Sequence, residues 1–112
     1  MRRGTTPTIN LNIDYKSTDI AEAWISIAQG GKIVLDKTLH SEGVTIEDVT
    51  EEGVTHAVIH MLLSQADTLA LTAGPAELQI RALMDDDTAA ASSIVKLSIS
   101  RILKDGIIIA EV

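Results

Sequence analysis

Cysteine and phenylalanine are absent from this chain, and its aromatic side chains are limited to Tyr15, Trp24 and the histidines. Without cysteine there are no disulfides, no cysteine zinc sites and no thiol catalysis, which fits a reducing compartment. A core without phenylalanine must be built from Ile, Val, Leu, Ala and Met. The scarcity of rings also argues against a stacking platform for nucleobases or sugars, because stacking needs exposed aromatic side chains.

Positive charge is scarce as well. The chain has 16 acidic residues against 9 basic ones, a net charge of −7. Such a field repels phosphate backbones and anionic membrane surfaces, so we expect neither nucleic acid nor a membrane as a partner. Arg2 and Arg3 do not make a basic arm, and we interpret them as part of a solvated terminus.

Long apolar runs are missing too. No stretch approaches the ~20 residues of a membrane span, and the first residues lack the apolar region of a signal peptide. We therefore expect a soluble protein that is made and used inside the cell. The length of 112 residues, of which 46% are hydrophobic, predicts one globular domain over residues 1–112 with a single core.

Alternation of apolar and polar residues is the main structural pattern. Short alternating segments are separated by turn residues at spacings near ten residues, which is typical of antiparallel sheets. Gly30 and Gly31 predict a tight hairpin, because glycine reaches the positive φ that such turns require. Ser64, followed at the third position by Asp67, predicts a capped helical turn.

Two further segments are less regular. Residues 40–53 are acidic and predict a surface loop with a short strand at 44–46. Residues 89–103 begin rich in alanine but then alternate, which predicts one strand. The expected fold is all-β, an immunoglobulin-like antiparallel β-sandwich of six to eight strands with one short helical turn. A partly open barrel is the alternative.

The inward face of the predicted strands defines a candidate core. These positions are apolar while the residues between them are mostly polar, the pattern of a strand with one face buried. They are Leu11, Ile25, Ile27, Ile59, Leu78, Ile80, Leu97 and Ile99.

Few groups of residues suggest a catalytic or metal-binding site. On a strand, His56 and His60 are about 13 Å apart at ~3.3 Å per residue, too far to share a metal ion, so we interpret them as surface or interface residues. Residues 85–87 are three aspartates without a calcium-loop pattern and predict a hairpin turn. There is no nucleophile motif and no phosphate loop. We expect no enzyme activity, no catalytic residue, no cofactor and no metal.

Some apolar residues fall outside the predicted core. Exposed apolar patches and bare strand edges are usually covered, and tryptophan is enriched at interface hot spots, so we expect a homo-oligomer or another protein partner. The competing interpretation is that the strand parity is wrong or that a loop covers these residues. The candidate interface residues are Trp24, Val58, Leu62, Ile107, Ile108 and Ile109.

Two arginines of the predicted strands, Arg81 and Arg101, are expected to form partly exposed salt bridges.

Four parts of the chain carry a family resemblance: residues 3–8, 27–31, 63–69, and 78–81 together with 100–103. In this order they resemble small structural proteins of tail or baseplate gene modules in phages and prophages of Gram-positive bacteria. More weakly, the N-terminal region is similar to that of phage baseplate upper proteins. The resemblance implies a non-enzymatic structural or assembly protein that acts through protein–protein interfaces and enters the virion. It implies no site residues. The alternative is a small ligand-binding module, with carbohydrate as one class of ligand.

Overall fold

The computed structural model of the protein describes residues 1–110, so the last two residues of the predicted domain lie outside the described part. A 3₁₀ turn at Ser17–Asp19 precedes the second strand. The remaining elements are β1 (Thr8–Ile13), β2 (Ile20–Gln29), β3 (Lys32–Thr38), β4 (Val44–Glu51), β5 (Val54–Leu62), α1 (Gln65–Leu69), β6 (Gly74–Met84), β7 (Ala89–Ala91) and β8 (Val95–Ile99).

The strands form two antiparallel sheets. The smaller sheet has the order β1-β5-β4, and the larger has the order β3-β2-β6 with β7 and β8 both paired to the far side of β6. The predicted all-β sandwich with one short helix is therefore confirmed. No helix in residues 1–110 is long and apolar enough to cross a membrane.

The inner faces of the two sheets meet in one apolar core. Six of the eight predicted core residues are buried, while Leu11 and Leu97 are partly buried and pack against the others. The strand β6 shows the expected period of two most clearly, because every second residue from Ala76 to Met84 is buried. Leu63 and Leu71, on either side of α1, are also fully buried and extend the core beyond the strands.

Two hairpins are closed by residues with positive φ. The predicted turn at Gly30 and Gly31 has φ values of 58° and 79°. The acidic stretch does not form the predicted loop, since β4 extends from Val44 to Glu51 and pairs with β5. The turn between β4 and β5 is formed by Glu52 and Gly53, whose φ values are 51° and 79°. A two-residue hairpin turn with positive φ at both central residues fits the twist of the flanking antiparallel strands. Here one glycine and one strained glutamate are enough to form such a turn.

The predicted strand over 89–103 is divided into β7 and β8. Arg81 of β6 pairs with Ala91, and Leu78 pairs with Val95, so one extra residue is inserted between these pairs. Ser92 fills the break: its N–H donates to the Ile80 carbonyl at 2.9 Å and its Oγ accepts from the Ile80 N–H at 3.1 Å. The serine hydroxyl replaces a ladder hydrogen bond, which alternation alone does not reveal.

The first residues are not a solvated terminus, which corrects the expectation for Arg2 and Arg3. Residues 1–3 lie parallel to 98–100, with the Ser100 N–H donating to the Met1 carbonyl at 2.7 Å. The Arg3 guanidinium donates to the carbonyls of Leu71 at 2.6 Å and Leu69 at 2.9 Å. Carbonyls at a helix C-terminus have no partner within the helix and attract a cation, which explains why Arg3 lies against α1.

Candidate protein interface

The two outer faces of the sandwich differ in chemistry. On the smaller sheet, His60 of β5 lies between Asn10 of β1 and Thr45 of β4, and the next row contains Asn12 and Glu47. The exposed apolar residues of the smaller sheet, Val54 and Leu62, lie at the two ends of β5, whereas the larger sheet has exposed large apolar side chains on β2, β3 and β6. This apolar face is defined by Trp24, Ile33, Leu83 and Ile94.

Strand pairing explains how the apolar face forms. Trp24 of β2 lies opposite Arg81 of β6, and Ala28 of β2 lies opposite Ile33 of β3. The register between β2 and β3 shifts after Ile27, which leaves Val34 as an extra residue. As a result Ile33 faces outward and is 64% exposed, while Leu35, two residues later, is buried.

Trp24 is the largest side chain of this face and is 53% exposed. The guanidinium carbon of Arg81 lies 5.5 Å from the centroid of its ring, a cation–π contact. Arg81 therefore stacks on an aromatic ring, and within residues 1–110 neither it nor Arg101 forms the salt bridge that the sequence predicted. The contact with Arg81 orients the Trp24 ring but leaves it half-exposed.

Two shallow clefts flank Trp24. One has a volume of about 220 Å³ and includes Glu22 and Leu83 in its lining. The other has a volume of about 310 Å³ and includes Ile33, Asp36 and Glu77. Each cleft thus combines apolar side chains with at least one carboxylate.

The carboxylate of Glu22 is held in its charged form. Its Oε1 accepts hydrogen bonds from the N–H groups of Ala23 at 2.9 Å and Leu39 at 3.2 Å. The bond from Ala23, joined by that from Leu39 and by the charge of nearby His40, outweighs desolvation and lowers the pKa of Glu22. This cleft therefore keeps a negative charge beside the apolar surface.

The six candidate interface residues lie on three parts of the fold. Trp24 belongs to the apolar face, whereas Leu62 is exposed at the end of β5 in the smaller sheet. Val58 was expected to be exposed but is only 8% exposed, because it lies on the central strand β5, between Asn12 and Glu47 of the flanking strands. It is buried without belonging to the core cluster.

The isoleucine run, residues 107–109, is exposed but is not a strand. It was expected to form a sheet edge. Instead, the side-chain amide of Gln65 in α1 binds the backbone of Ile108: the Ile108 N–H donates to Oε1 at 2.7 Å, and Nε2 donates to the Ile108 carbonyl at 3.3 Å. One glutamine thus supplies both hydrogen bonds that a neighbouring strand would give.

His56 and His60 lie on β5, as the alternation predicted. The His60 ring lies across three strands, with Nδ1 2.6 Å from Asn10 Oδ1 and Nε2 2.8 Å from Glu47 Oε1. Within residues 1–110 no three side chains of the metal-binding types come together as a cluster. The aspartates 85–87 form the predicted hairpin turn, in which Asp86 accepts from the Thr88 hydroxyl at 2.6 Å.

Sequence reasoning identified Trp24 but missed Ile33, Leu83 and Ile94. Leu83 has the outward parity of β6 and could have been recognised from the alternation. Comparison of the chain with protein-family models, with curated proteins and with solved structures found no match.

Proposed function

We propose that the protein is a non-enzymatic structural or assembly protein that works through protein–protein interfaces and associates with copies of itself. The observation that carries the proposal is the apolar face of the larger sheet. Side chains the size of Trp24 and Ile33, exposed together on one sheet, cost free energy in water and are covered in assemblies. Tryptophan and arginine are also among the residue types enriched at interface hot spots, and here Arg81 lies against the Trp24 ring.

Within this proposal, the setting is the tail or baseplate of a phage or prophage of Gram-positive bacteria. The support is the resemblance of four segments spread over the chain, including residues 63–69, which contain the capped helix α1. The protein would be synthesised in the host cytoplasm and incorporated into the particle, with its own copies or other structural proteins as partners.

The self-association is tested by a charge placed on one outer face at a time. Ile33→Asp introduces a carboxylate on the apolar face, and Asn12→Asp introduces one on the polar face of the smaller sheet. We expect Ile33→Asp to reduce the molar mass toward the 12.0 kDa of one chain in sedimentation velocity, while Asn12→Asp sediments like the unmodified protein. Equal behaviour of all three proteins would refute the role of the apolar face.

The tail or baseplate setting needs a separate experiment. Particles are induced from a strain that carries the gene, purified on a density gradient and analysed by mass spectrometry. Peptides of this chain should co-purify with tail proteins or with tail assembly intermediates. If the chain is expressed but absent from both fractions, the phage setting is wrong while the self-association can still hold.

One observation favours the alternative of a ligand-binding module. The half-exposed ring of Trp24 lines a cleft beside Glu22 and Arg81, an aromatic surface next to polar groups of the kind that binds sugars. Titration of the unmodified protein with oligosaccharides of cell-wall type, followed by Trp24 fluorescence, tests this. A saturable change in emission that is lost in Arg81→Ala would favour the alternative.

A further inference from the structure

Positive charge is concentrated at one end of the molecule. Arg2, Arg3, Arg101 and Lys104 are four of the nine basic residues of the chain, and we call this group the basic pole; Asp105 lies in the same region and forms an ion pair with Arg3 at 2.6 Å. The pairing of residues 1–3 with 98–100 brings its two parts together, and the Arg2 guanidinium donates to the Arg101 carbonyl at 2.7 Å. Residues 4–100 carry fourteen acidic and five basic residues, a net charge of −9.

The isoleucine run follows the basic pole directly along the chain. Ile108 is 78% and Ile109 is 80% exposed. The two hydrogen bonds from Gln65 hold the Ile108 backbone in place, so its side chain is presented outward from a fixed position. A segment that is already ordered loses less conformational entropy when it binds, which favours its use as a docking element.

The apolar face has the complementary properties. It is concave beside Ile33, and the cleft there is lined by Trp24, by two carboxylates, Asp36 and Glu77, and by one cation, Arg81, so acidic groups outnumber basic ones. One end of the chain is thus apolar and basic, while the face of the larger sheet is apolar with acidic groups. Opposite charges around apolar patches steer two surfaces together and fix their orientation.

We propose that residues 101–110 of one copy dock on the apolar face of a second copy. This inference rests on the proposed self-association and specifies which surfaces meet. Because the two surfaces differ, the contact is heterologous: after two copies meet, one of them keeps a free face and the other keeps a free docking segment. Repetition of such a contact produces a closed ring or an open filament rather than a simple symmetric dimer.

Mixing two defective variants tests the proposal. Ile108→Asp damages the docking segment and leaves the apolar face intact, whereas Ile33→Asp does the reverse; both side chains are exposed, so both variants should fold. Ile109→Asp is a second segment variant in case Ile108→Asp lowers the melting temperature. Asn12→Asp is the matched control. Sedimentation velocity is recorded for each protein alone and for equimolar mixtures.

We expect each defective variant alone to sediment as one chain of 12.0 kDa, and their mixture to form a one-to-one complex of about twice that mass. In the mixture only one intact segment meets one intact face, so growth stops at two chains. High salt should weaken this complex, since the Debye length falls to about 3 Å at 1 M.

Other outcomes overturn the inference and are distinguishable. If Ile108→Asp and Ile109→Asp assemble like the unmodified protein while Ile33→Asp does not, the apolar face associates with itself and only the docking segment is wrong. If the unmodified protein assembles but the mixture stays monomeric, the contact is not heterologous. If the unmodified protein is monomeric and instead binds phosphatidylglycerol vesicles through Ile108, both proposals fail in favour of a membrane surface.

Discussion

At the scale of single residues, Arg3 makes the most consequential contacts. Its guanidinium donates to the carbonyls of Leu69, the last residue of α1, and of Leu71, two residues further on, and it also lies 2.6 Å from Asp105 Oδ1. The side chain is only 19% exposed, so these hydrogen bonds are partly shielded from water. Arg3 therefore connects three separate parts of the chain: the first residues, the helix and the segment that precedes the isoleucine run.

We expect Arg3→Ala to lower the free energy of unfolding by about 1.5–3 kcal/mol, the range for hydrogen bonds to a charged group. Arg2→Ala is the control, because within residues 1–110 the exposed Arg2 guanidinium makes one hydrogen bond, to the Arg101 carbonyl. Urea denaturation of both variants measures the difference. Equal stability of Arg3→Ala and Arg2→Ala would contradict the role given to Arg3.

Residue exposure was only partly predictable. Trp24 was correctly placed on an outward face, since its neighbours Ala23 and Ile25 are buried. The exposure of Ile33 depends on the bulge at Val34, which leaves no mark in the pattern of apolar and polar residues. The burial of Val58 depends on β5 being the central strand of its sheet, and a single sequence does not reveal strand order.

At the scale of elements, Gly43 fixes the start of β4 against the end of β5. Its φ is +82°, and the Leu62 N–H donates to its carbonyl at 2.9 Å. A Cβ at this position would lie 2.7 Å from the Leu62 carbonyl oxygen, closer than side-chain carbons approach backbone oxygens. Both the backbone conformation and the close approach require glycine.

Gly43→Ala and Gly53→Ala separate these two requirements. Gly53 has a similar φ of +79°, but a Cβ there would meet no atom within 4 Å. We expect Gly53→Ala to cost about 1–2 kcal/mol, the penalty for a left-handed alanine, and Gly43→Ala to cost more than that because of the added clash. Thermal and chemical denaturation of the pair provide the measurement; a Gly43→Ala no less stable than Gly53→Ala would show that the strands adjust freely.

The helix α1 is short and depends on its first turn. The Ser64 Oγ accepts from the Asp67 N–H at 3.1 Å, and the Asp67 carboxylate accepts from the Ser64 N–H at 2.9 Å and from Lys37 Nζ at 3.1 Å. Aspartate thus completes the capping box in place of the more usual glutamate. Burial alone would raise the pKa of Asp67, but the bonds from Ser64 and Lys37 outweigh it and lower the pKa.

A lowered pKa in the folded state links stability to pH. The contribution of Asp67 is present above the unfolded pKa of about 3.9 and is lost as the pH falls through the lower folded value. We expect Asp67→Asn to reduce the free energy of unfolding at pH 7 and to make it less dependent on pH below about 4. Glu22, Asp48 and Asp86 have lowered pKa values as well, so part of the acid sensitivity should remain.

Asp14→Asn serves as the control for this experiment, because Asp14 is exposed and accepts no hydrogen bond within residues 1–110. Urea denaturation at pH 7 and at pH 3 compares the two variants with the unmodified protein. If Asp67→Asn and Asp14→Asn change stability equally at both pH values, the capping box does not stabilise α1.

At the scale of the whole molecule, the sandwich was predictable while the surface asymmetry was not. Alternation determines which residues of a strand share a face, and this was enough for most of the core. The apolar face arises because β3, β2 and β6 are neighbours, which places Ile33 in the same cleft lining as Trp24 and Arg81. The basic pole arises from contacts between residues that are about 100 positions apart in the chain.

The fluorescence of Trp24, recorded together with molar mass over a range of protein concentrations, tests the central claim most directly. Trp24 is the only tryptophan of the chain and is half-exposed in a single copy. The account predicts that the mass rises above 12.0 kDa with concentration while the emission shifts to shorter wavelength and acrylamide quenching decreases. A mass that rises while Trp24 stays equally exposed, or a mass that stays at that of one chain throughout, would contradict it.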